Sequence, residues 1–248
     1  EIASAYSVLA NGGYKLEPWY IERIENNDGD TLFEANPMVI CDDACEQQRA
    51  EEQAREAQLA AESAADESDE LAFSDLLAQE ATQPEAAADT EDNTEEKPIR
   101  YAERVQDERI NFLITSMMQD VIKRGTGVKA RALNRSDLAG KTGTTNDQKD
   151  AWFSGFNRDV VATVWVGFDQ PRNLGRGEYG GTAALPIWID YMRTALQSSP
   201  QVSPKIPDGI TTVRIDPETG KRAKPGQPNA IFEYFREENV PAQEVEDD

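Results

Sequence analysis

The part of this sequence that could most readily carry chemistry is residues 139–145, which read Ala-Gly-Lys-Thr-Gly-Thr-Thr. On a β-strand, Lys141 and Gly143 would lie on one face and Thr142 and Thr144 on the other, because side chains alternate along a strand. A lysine, two hydroxyls and the unpaired amides of a sheet edge could together bind the carboxylate of an extended peptide. Such a ligand would add to the sheet edge as a further strand.

The tetrapeptide Lys-Thr-Gly-Thr alone does not establish a site, because an ordinary strand that ends beside a solvated lysine is common. A glycine within a strand often marks the close approach of a ligand or another backbone. The hypothesis therefore depends on the elements that surround the segment.

The composition excludes several kinds of chemistry within this chain. There is no histidine, which removes Ser-His-Asp triads, Cys-His pairs and histidine zinc sites. Two cysteines cannot close a structural zinc site, and we expect neither a metal nor another cofactor. A formal net charge of −22 without a basic stripe argues against nucleic acid as a partner. No apolar run is long enough to predict a transmembrane helix or a signal peptide.

The elements around residues 139–145 predict an antiparallel sheet flanked by helices, and hence an α+β fold. An apolar stripe from Ile110 to Ile122 predicts a helix that begins at Asp107 and ends at Gly125, followed by a Gly-Thr-Gly turn. Three closely spaced strands then follow as a meander, at residues 138–144, 150–156 and 160–168. The third strand is almost continuously apolar, which predicts cover on both faces. A helix over residues 185–196 completes this region.

Both ends of the chain carry further predicted elements. A helix at residues 2–9 lacks a preceding cap, which suggests that the chain starts inside a longer domain. Strands at residues 19–24 and 31–34 form a predicted hairpin. A last hairpin is predicted within residues 208–223, with its turn at residues 217–220, before an acidic tail at residues 237–248.

Most of the negative charge lies between residues 41 and 96, a stretch rich in Glu, Asp, Ala and Gln. Its composition predicts an excursion without a core of its own, with an alanine-rich helix at residues 47–62. A tolerated solvated insertion is favoured over an acidic docking segment for a basic partner. Cys41 and Cys45 could form a small local disulfide in an oxidising compartment. The predicted divisions are a helical end and hairpin at 1–40, the acidic insertion at 41–98, the core with the Lys-Thr-Gly strand at 99–200, and the last hairpin with its tail at 201–248.

Five segments outside the acidic stretch carry a resemblance to a known family. They read EIASAYSVLANGGY, IKRGTG, LAGKTGTTNDQKDAWFSGF, VWVGFD and ALPIWIDYM. Together they resemble the later part of the transpeptidase domain of class A penicillin-binding proteins, most closely the type-1A group. The Lys-Thr-Gly element is shared with class A β-lactamases. The resemblance implies a penicillin-binding or serine β-lactamase-like fold, present here as a C-terminal part.

The resemblance also implies a role for each residue of the central strand. Lys141 would lie beside the active serine and hold its proton relay in position. The hydroxyls of Thr142 and Thr144 would bind the terminal carboxylate of a D-Ala-D-Ala stem peptide or of a penicillin. The backbone N–H of Thr144 would be half of the oxyanion hole. Gly143 would admit the ligand, and Thr145 would line the same substrate site.

The sequence departs from the family pattern in two motifs. No serine is followed by lysine three residues later, and none is followed by asparagine two residues later. The nucleophilic serine is therefore absent from this chain, is expected upstream, and the chain by itself is expected to be inactive. Asp150 and Trp152 are expected to position the strand without taking part in the chemistry.

The resemblance implies a bifunctional peptidoglycan synthase that cross-links stem peptides through a serine acyl-enzyme and is a target of β-lactams. The expected location is the periplasmic side of the inner membrane, with an anchor and a glycosyltransferase domain upstream. Expected partners are stem peptides, β-lactams, the upstream remainder of the protein and regulators of cell-wall synthesis. Two alternatives stay open: a β-lactamase or D,D-carboxypeptidase, and a non-catalytic penicillin-binding sensor or scaffold.

Overall fold

A computed structural model describes residues 1–41, 45, 47–51, 54–55, 57–58 and 97–242 of the chain. The chain divides into two compact units. The first comprises Glu1–Pro18 and Glu103–Asp248, and the second comprises Trp19–Ala102. The predicted divisions of the chain rest on composition and stay predictions.

A three-stranded antiparallel sheet forms the centre of the first unit. Its strands are β5 (Ala139–Thr144), β6 (Asp150–Phe156) and β7 (Val161–Gly167), in the order β5-β6-β7. The register pairs Lys141 with Ser154, and it places Gly143, Trp152 and Trp165 in one row across the sheet. The predicted meander is confirmed, and β5 is an edge of this sheet.

Helices cover both faces of the sheet. On one face, the indole of Trp188 in helix α3 (Leu185–Ala195) meets the ring of Phe153 edge to face, with centroids 4.9 Å apart. Both rings are fully buried. On the other face, Ala139 and Phe156 pack against α1 (Ile2–Ala10) and α2 (Glu108–Arg124). Burial of this apolar surface on both faces is the main stabilising contribution to the unit.

Helix α2 begins and ends where the sequence predicts. The carboxylate of Asp107 accepts the backbone N–H groups of Arg109 and Ile110, at 3.0 and 3.1 Å. These bonds satisfy donors that a helix start leaves without partners. The helix ends at Gly125, directly before the turn that reaches β5.

The C-terminal hairpin differs from its prediction. Strand β8 (Ile210–Ile215) pairs with β9 (Ile231–Arg236), which lies well beyond the predicted turn at 217–220. That turn does form, but it leads only to an isolated bridge between Ile215 and Arg222. Residues 223–230 contain three prolines or glycines, at 225, 226 and 228, which interrupt a ladder because proline lacks an N–H.

Strand β7 also differs from its prediction. It is the outer strand of the described sheet, most of its residues are half-buried, and the side chain of Trp165 is 44% exposed. The predicted cover on both faces is confirmed for part of the strand: Val161 packs on the side of α1, and Val164 and Val166 pack on the side of α3. One face packs on α3, whereas the end of the other face that carries Trp165 stays accessible.

Short paired segments complete the first unit. Strands β1 (Tyr14–Lys15) and β4 (Glu103–Arg104) are antiparallel partners. Short 3-10 helices occupy Val128–Leu133, Asn146–Gln148 and Glu237–Asn239, and a wider helical turn at Gly180–Ala184 leads into α3. The predicted acidic tail begins within one of these turns, and residues 243–248 lie outside the described residues.

The second unit contains the predicted N-terminal hairpin, formed by β2 (Arg23–Glu25) and β3 (Thr31–Glu34). The predicted strand at 19–24 is too long, because only residues 23–25 pair in the ladder. Cys41 and Cys45 form the predicted disulfide, with their Cα atoms 5.1 Å apart. The described residues between 47 and 58 are helical, as predicted. The remainder of the acidic excursion lies outside the described residues.

Candidate functional site

The outer edge of β5 presents backbone groups to a ligand. Thr145 donates its N–H to the carbonyl of Asp150 at 3.1 Å, which places this pair among the hydrogen-bonded pairs of the β5–β6 ladder. Bonding alternates along an antiparallel pair, so the N–H groups of Thr144 and Thr142 point away from β6. Among the residues that the structure describes, no strand pairs with this edge. The N–H of Thr144, which is the predicted oxyanion-hole donor, therefore points away from β6 at this edge.

The side chains of the Lys-Thr-Gly-Thr segment have defined neighbours. The ammonium of Lys141 donates to the carbonyl of Thr142 at 2.9 Å and is exposed. The hydroxyls of Thr142 and Thr126 are 2.8 Å apart. The hydroxyl of Thr144 accepts the N–H of Gly180 at 3.1 Å. Each threonine hydroxyl keeps further bonding capacity, because a hydroxyl offers one donor and two acceptor positions.

Thr145 has a structural partner. Its hydroxyl accepts the N–H of Asp150 at 2.9 Å and lies 3.2 Å from the Asp150 carboxylate. The same carboxylate accepts the indole N–H of Trp165 at 2.9 Å. These bonds close the connection between β5 and β6 and hold its ends in register. Thr145 thus lies at the site, with its hydroxyl engaged within the protein.

Two glycines allow the backbones at the site to approach closely. A Cβ on Gly143 would lie 3.1 Å from the Cβ of Trp152, its cross-strand neighbour. A Cβ on Gly180 would lie 2.7 Å from the carbonyl oxygen of Gly143 and would also strike the carbonyl oxygen of Trp152. Only glycine fits at position 180, since both obstacles are backbone atoms. Gly143 thus has a packing role in addition to its predicted role towards a ligand.

Sequence reasoning missed the residues that reach the strand from elsewhere in the chain. Thr126, from the turn after α2, and Gly180, from the turn before α3, both bond to threonines of β5. The Gly-Thr-Gly turn and the Gly180-Gly181 pair were visible as signals of tight turns. Their sequence positions gave no information about which strand they would contact.

The connection after β5 contains an ion pair. The ammonium of Lys149 lies 3.7 Å from the carboxylate of Asp147. Within the described residues, no group of three or more acidic residues or cysteines is arranged to hold a metal ion. The helices in the described part of the chain are all too short or too polar to cross a bilayer.

Comparison with known proteins identifies two consecutive parts of the chain. The profile of the penicillin-binding protein transpeptidase domain matches residues 1–193. The profile of the penicillin-binding protein 1A C-terminal domain matches residues 206–247.

Two proteins similar to this chain are both named penicillin-binding protein 1A. Penicillin-binding protein 1A of Pseudomonas aeruginosa is 52% identical over 245 residues, which cover 97% of this chain and 28% of the relative. The protein of that name from Vibrio cholerae is 34% identical over 270 residues, covering 99% of this chain and 28% of the relative. This chain thus spans between a quarter and a third of the length of these relatives.

A solved structure extends the similarity to three dimensions. The crystal structure of penicillin-binding protein 1A from Haemophilus influenzae superposes with a TM-score of 0.72 at 32% identity, over 98% of this chain and 32% of that one. The α+β fold predicted from the sequence is confirmed by this likeness.

Proposed function

The chain belongs to the penicillin-binding protein transpeptidase family, and on that premise we propose that it supplies the substrate-binding strand of a serine D,D-transpeptidase. The observation that carries the proposal is the outer edge of β5, with which no strand of the described residues pairs. There the N–H of Thr144 points outward beside two threonine hydroxyls and Lys141. An extended peptide with a terminal carboxylate fits an edge of this kind, because main-chain bonds hold it and the hydroxyls recognise its end.

The proposed reaction is acyl transfer between two stem peptides. A serine hydroxyl attacks the carbonyl carbon of the D-Ala-D-Ala bond of the donor and gives up its proton. The N–H of Thr144 stabilises the oxyanion that forms, as one of two donors. The bond to the terminal D-Ala then breaks, and this residue leaves as an amine after taking a proton. An amine of a neighbouring stem attacks the acyl-enzyme, which frees the serine and forms the cross-link.

Lys141, Thr142 and Thr144 have distinct proposed roles in this reaction. The ammonium of Lys141 lies at the strand edge, where it would hold the proton relay beside the serine. The hydroxyls of Thr142 and Thr144 would bind the terminal carboxylate of the donor. A bond from a hydroxyl to a carboxylate contributes about 1.5 to 3 kcal/mol, so each threonine is expected to affect donor binding measurably. Thr145 would line the same site.

The serine is proposed to come from a part of the full-length protein that this chain does not contain. The full-length protein is proposed to be a bifunctional peptidoglycan synthase of the type-1A kind, with a glycosyltransferase domain and a membrane anchor. It would act at the periplasmic side of the inner membrane, together with cell-wall synthesis regulators. The chain alone is proposed to be inactive.

Covalent labelling with a fluorescent penicillin tests the proposal. The full-length protein is expected to label and this chain is not. Lys141→Ala should lower the labelling rate about 100-fold, the size of effect seen when a group that stabilises transition-state charge is removed. Thr144→Val should lower it about tenfold, because the hydroxyl is lost and the backbone N–H is kept. Lys205→Ala and Thr212→Val are matched controls at exposed positions and should label normally.

A second assay separates the remaining alternatives. With a donor and an acceptor stem peptide, the full-length protein should form a cross-linked product. Labelling by penicillin accompanied only by hydrolysis of the donor would indicate a carboxypeptidase or β-lactamase. Labelling with no turnover of the donor would indicate a penicillin-binding sensor. A full-length protein that does not label at all would contradict the proposal.

A further inference from the structure

The connection between β5 and β6 has an unfavourable backbone conformation. Asp147 and Gln148 are consecutive and both lie in the left-handed region, with φ angles of 60° and 53°. Residues other than glycine adopt this region rarely, and two in succession are rarer still. Such a conformation persists only where surrounding structure imposes it, and it is often found at functional sites.

The structure that imposes it is the segment 173–180, which we name the brace. The amide of Asn173 donates to the carbonyl of Asp147, and the N–H of Leu174 donates to the carbonyl of Gln148 at 2.9 Å. The side-chain amide of Gln148 donates to the hydroxyl of Tyr179 at 3.3 Å. Both left-handed residues therefore have their carbonyl groups held by donors from the brace.

The other end of the brace holds β5 itself. The N–H of Gly180 donates to the hydroxyl of Thr144 at 3.1 Å, and its α-carbon packs on the backbone of Gly143. The N–H of Tyr179 donates to the hydroxyl of Thr182 at 2.7 Å, which fixes this end at the turn before α3. The brace thus links the left-handed connection to the strand residue whose N–H points outward.

The side chain of Gln148 supports this interpretation. Its Oε1 atom is buried and has no hydrogen-bond partner among the described residues. A buried acceptor without a partner is unfavourable, so the position of Gln148 is imposed by the bonds on its backbone and its amide nitrogen. The connection is therefore held by tertiary contacts, and its own sequence does not favour it.

We propose that the brace is a positioning element for the oxyanion hole. It holds residues 147 and 148 in the left-handed conformation and bonds to the hydroxyl of Thr144 through Gly180, and it thereby sets the direction of the Thr144 N–H. Thr145 and Asp150 close a four-residue connection, so a change of φ at 147 or 148 moves the end of β5. A donor that is preorganised towards the developing oxyanion lowers the barrier, and one that is misdirected does not. This inference rests on the proposed function, since it assigns the Thr144 amide to that hole.

The experiment measures acylation of the full-length protein by a fluorescent penicillin, and separates the acylation rate constant from the dissociation constant of the prior complex. Asn173→Ala removes the bond from the Asn173 side-chain amide to the carbonyl of Asp147, together with a bond inside the brace in which Asn173 Oδ1 accepts the N–H of Gly175. It should lower the acylation rate constant about tenfold, with the dissociation constant and melting temperature unchanged. Arg176→Ala is the matched control within the brace, because this exposed side chain is not used in the argument. It should acylate like the wild type.

Rescue distinguishes positioning from general damage. Glycine adopts the left-handed region without strain, so Asp147→Gly in the Asn173→Ala background should restore most of the lost rate. Tyr179→Phe removes a different bond of the brace, keeps the ring, and should lower the rate in the same direction. Tyr179→Phe also tests the proposal by itself if Asn173→Ala does not fold.

The outcomes are separable from those of the proposed function. If Asn173→Ala and Tyr179→Phe are both acylated at the rate of the wild-type protein, the proposed role of the brace is overturned and the proposed function is unaffected. A loss of rate that follows a lowered melting temperature, or that Arg176→Ala shares, would overturn it as well. If the penicillin does not acylate the wild-type full-length protein, the proposed function is overturned instead.

Discussion

At the scale of single residues, a buried charge joins the start of β5 to the segment after α3. The carboxylate of Asp137 is 1% exposed and accepts two bonds from the Arg135 guanidinium, at 2.9 and 2.6 Å. The same guanidinium donates to the carbonyls of Ser199 and Pro200. Its pKa is raised above its ordinary value, first by the hydrogen bond to Asp137, against an opposing effect of burial. Asp137→Ala should therefore lower the free energy of unfolding by about 3 kcal/mol in urea denaturation, because it strands a cation that is mostly buried.

Asp190→Ala is the control for this prediction. Asp190 pairs with Arg193 on the outer surface of α3, and both side chains are more than half exposed. Its loss should change the free energy of unfolding by less than about 0.5 kcal/mol. Equal effects of the two substitutions would show that burial of the Asp137 pair has no energetic consequence.

At the scale of elements, the start of α2 predicts a pH dependence. The Asp107 pKa is lowered from 3.8, first because its carboxylate accepts the backbone N–H of Ile110, against a small opposing effect of burial. A lowered pKa means that the carboxylate contributes stability above the ordinary pKa and loses it as the pH falls through the lowered value. Asp107→Ala should cost about 1 kcal/mol of unfolding free energy near neutral pH. The difference from the wild type should shrink below about pH 3.8.

Asp107→Asn tests the cause of that dependence. Asparagine caps a helix about as well as aspartate and carries no charge to titrate. The stability difference between Asp107→Asn and Asp107→Ala should therefore stay constant across the acid range. A difference that shrinks in parallel with that of the wild type would place the pH dependence in groups other than Asp107.

At the scale of the whole molecule, the segment matched by the 1A C-terminal profile docks on α2 of the transpeptidase part. The ring of Tyr234 on β9 meets Phe112 on α2 edge to face, with centroids 5.0 Å apart. Arg124 at the end of the same helix pairs with Glu233, and this bond raises the Arg124 pKa above its ordinary value. Tyr234→Ala should lower the free energy of unfolding by about 2 to 4 kcal/mol and expose residues 197–209 to proteases.

Phe232→Ala is the control on the same strand. Its side chain is 70% exposed, so removal should leave both stability and protease sensitivity nearly unchanged. If Tyr234→Ala is no more sensitive to proteolysis than Phe232→Ala, the aromatic contact does not hold the hairpin on α2.

The sequence by itself determined the elements whose signals are local. The cap at Asp107, the inward stripe of α3 and the three-strand meander each follow from residues close together in the chain, because capping, helical period and strand alternation act over a few residues. The resemblance identified the Lys-Thr-Gly strand in the same way, from contiguous motifs. The local pattern overestimated how completely β7 is covered and missed the partner of β8, because pairing and cover depend on distant segments.

Only the tertiary structure decided which groups the strand residues meet. The bond of Thr142 to Thr126 joins residues 16 positions apart, and the bond of Thr144 to Gly180 joins residues 36 positions apart. The bonds between the 147–148 connection and the brace likewise join segments that are distant in the chain. No pattern within residues 139–145 specifies them, since they arise from the packing of α2 and α3 on the sheet. The residues that could do the chemistry were therefore readable from the chain, whereas their directions depend on the contacts that the fold brings to them.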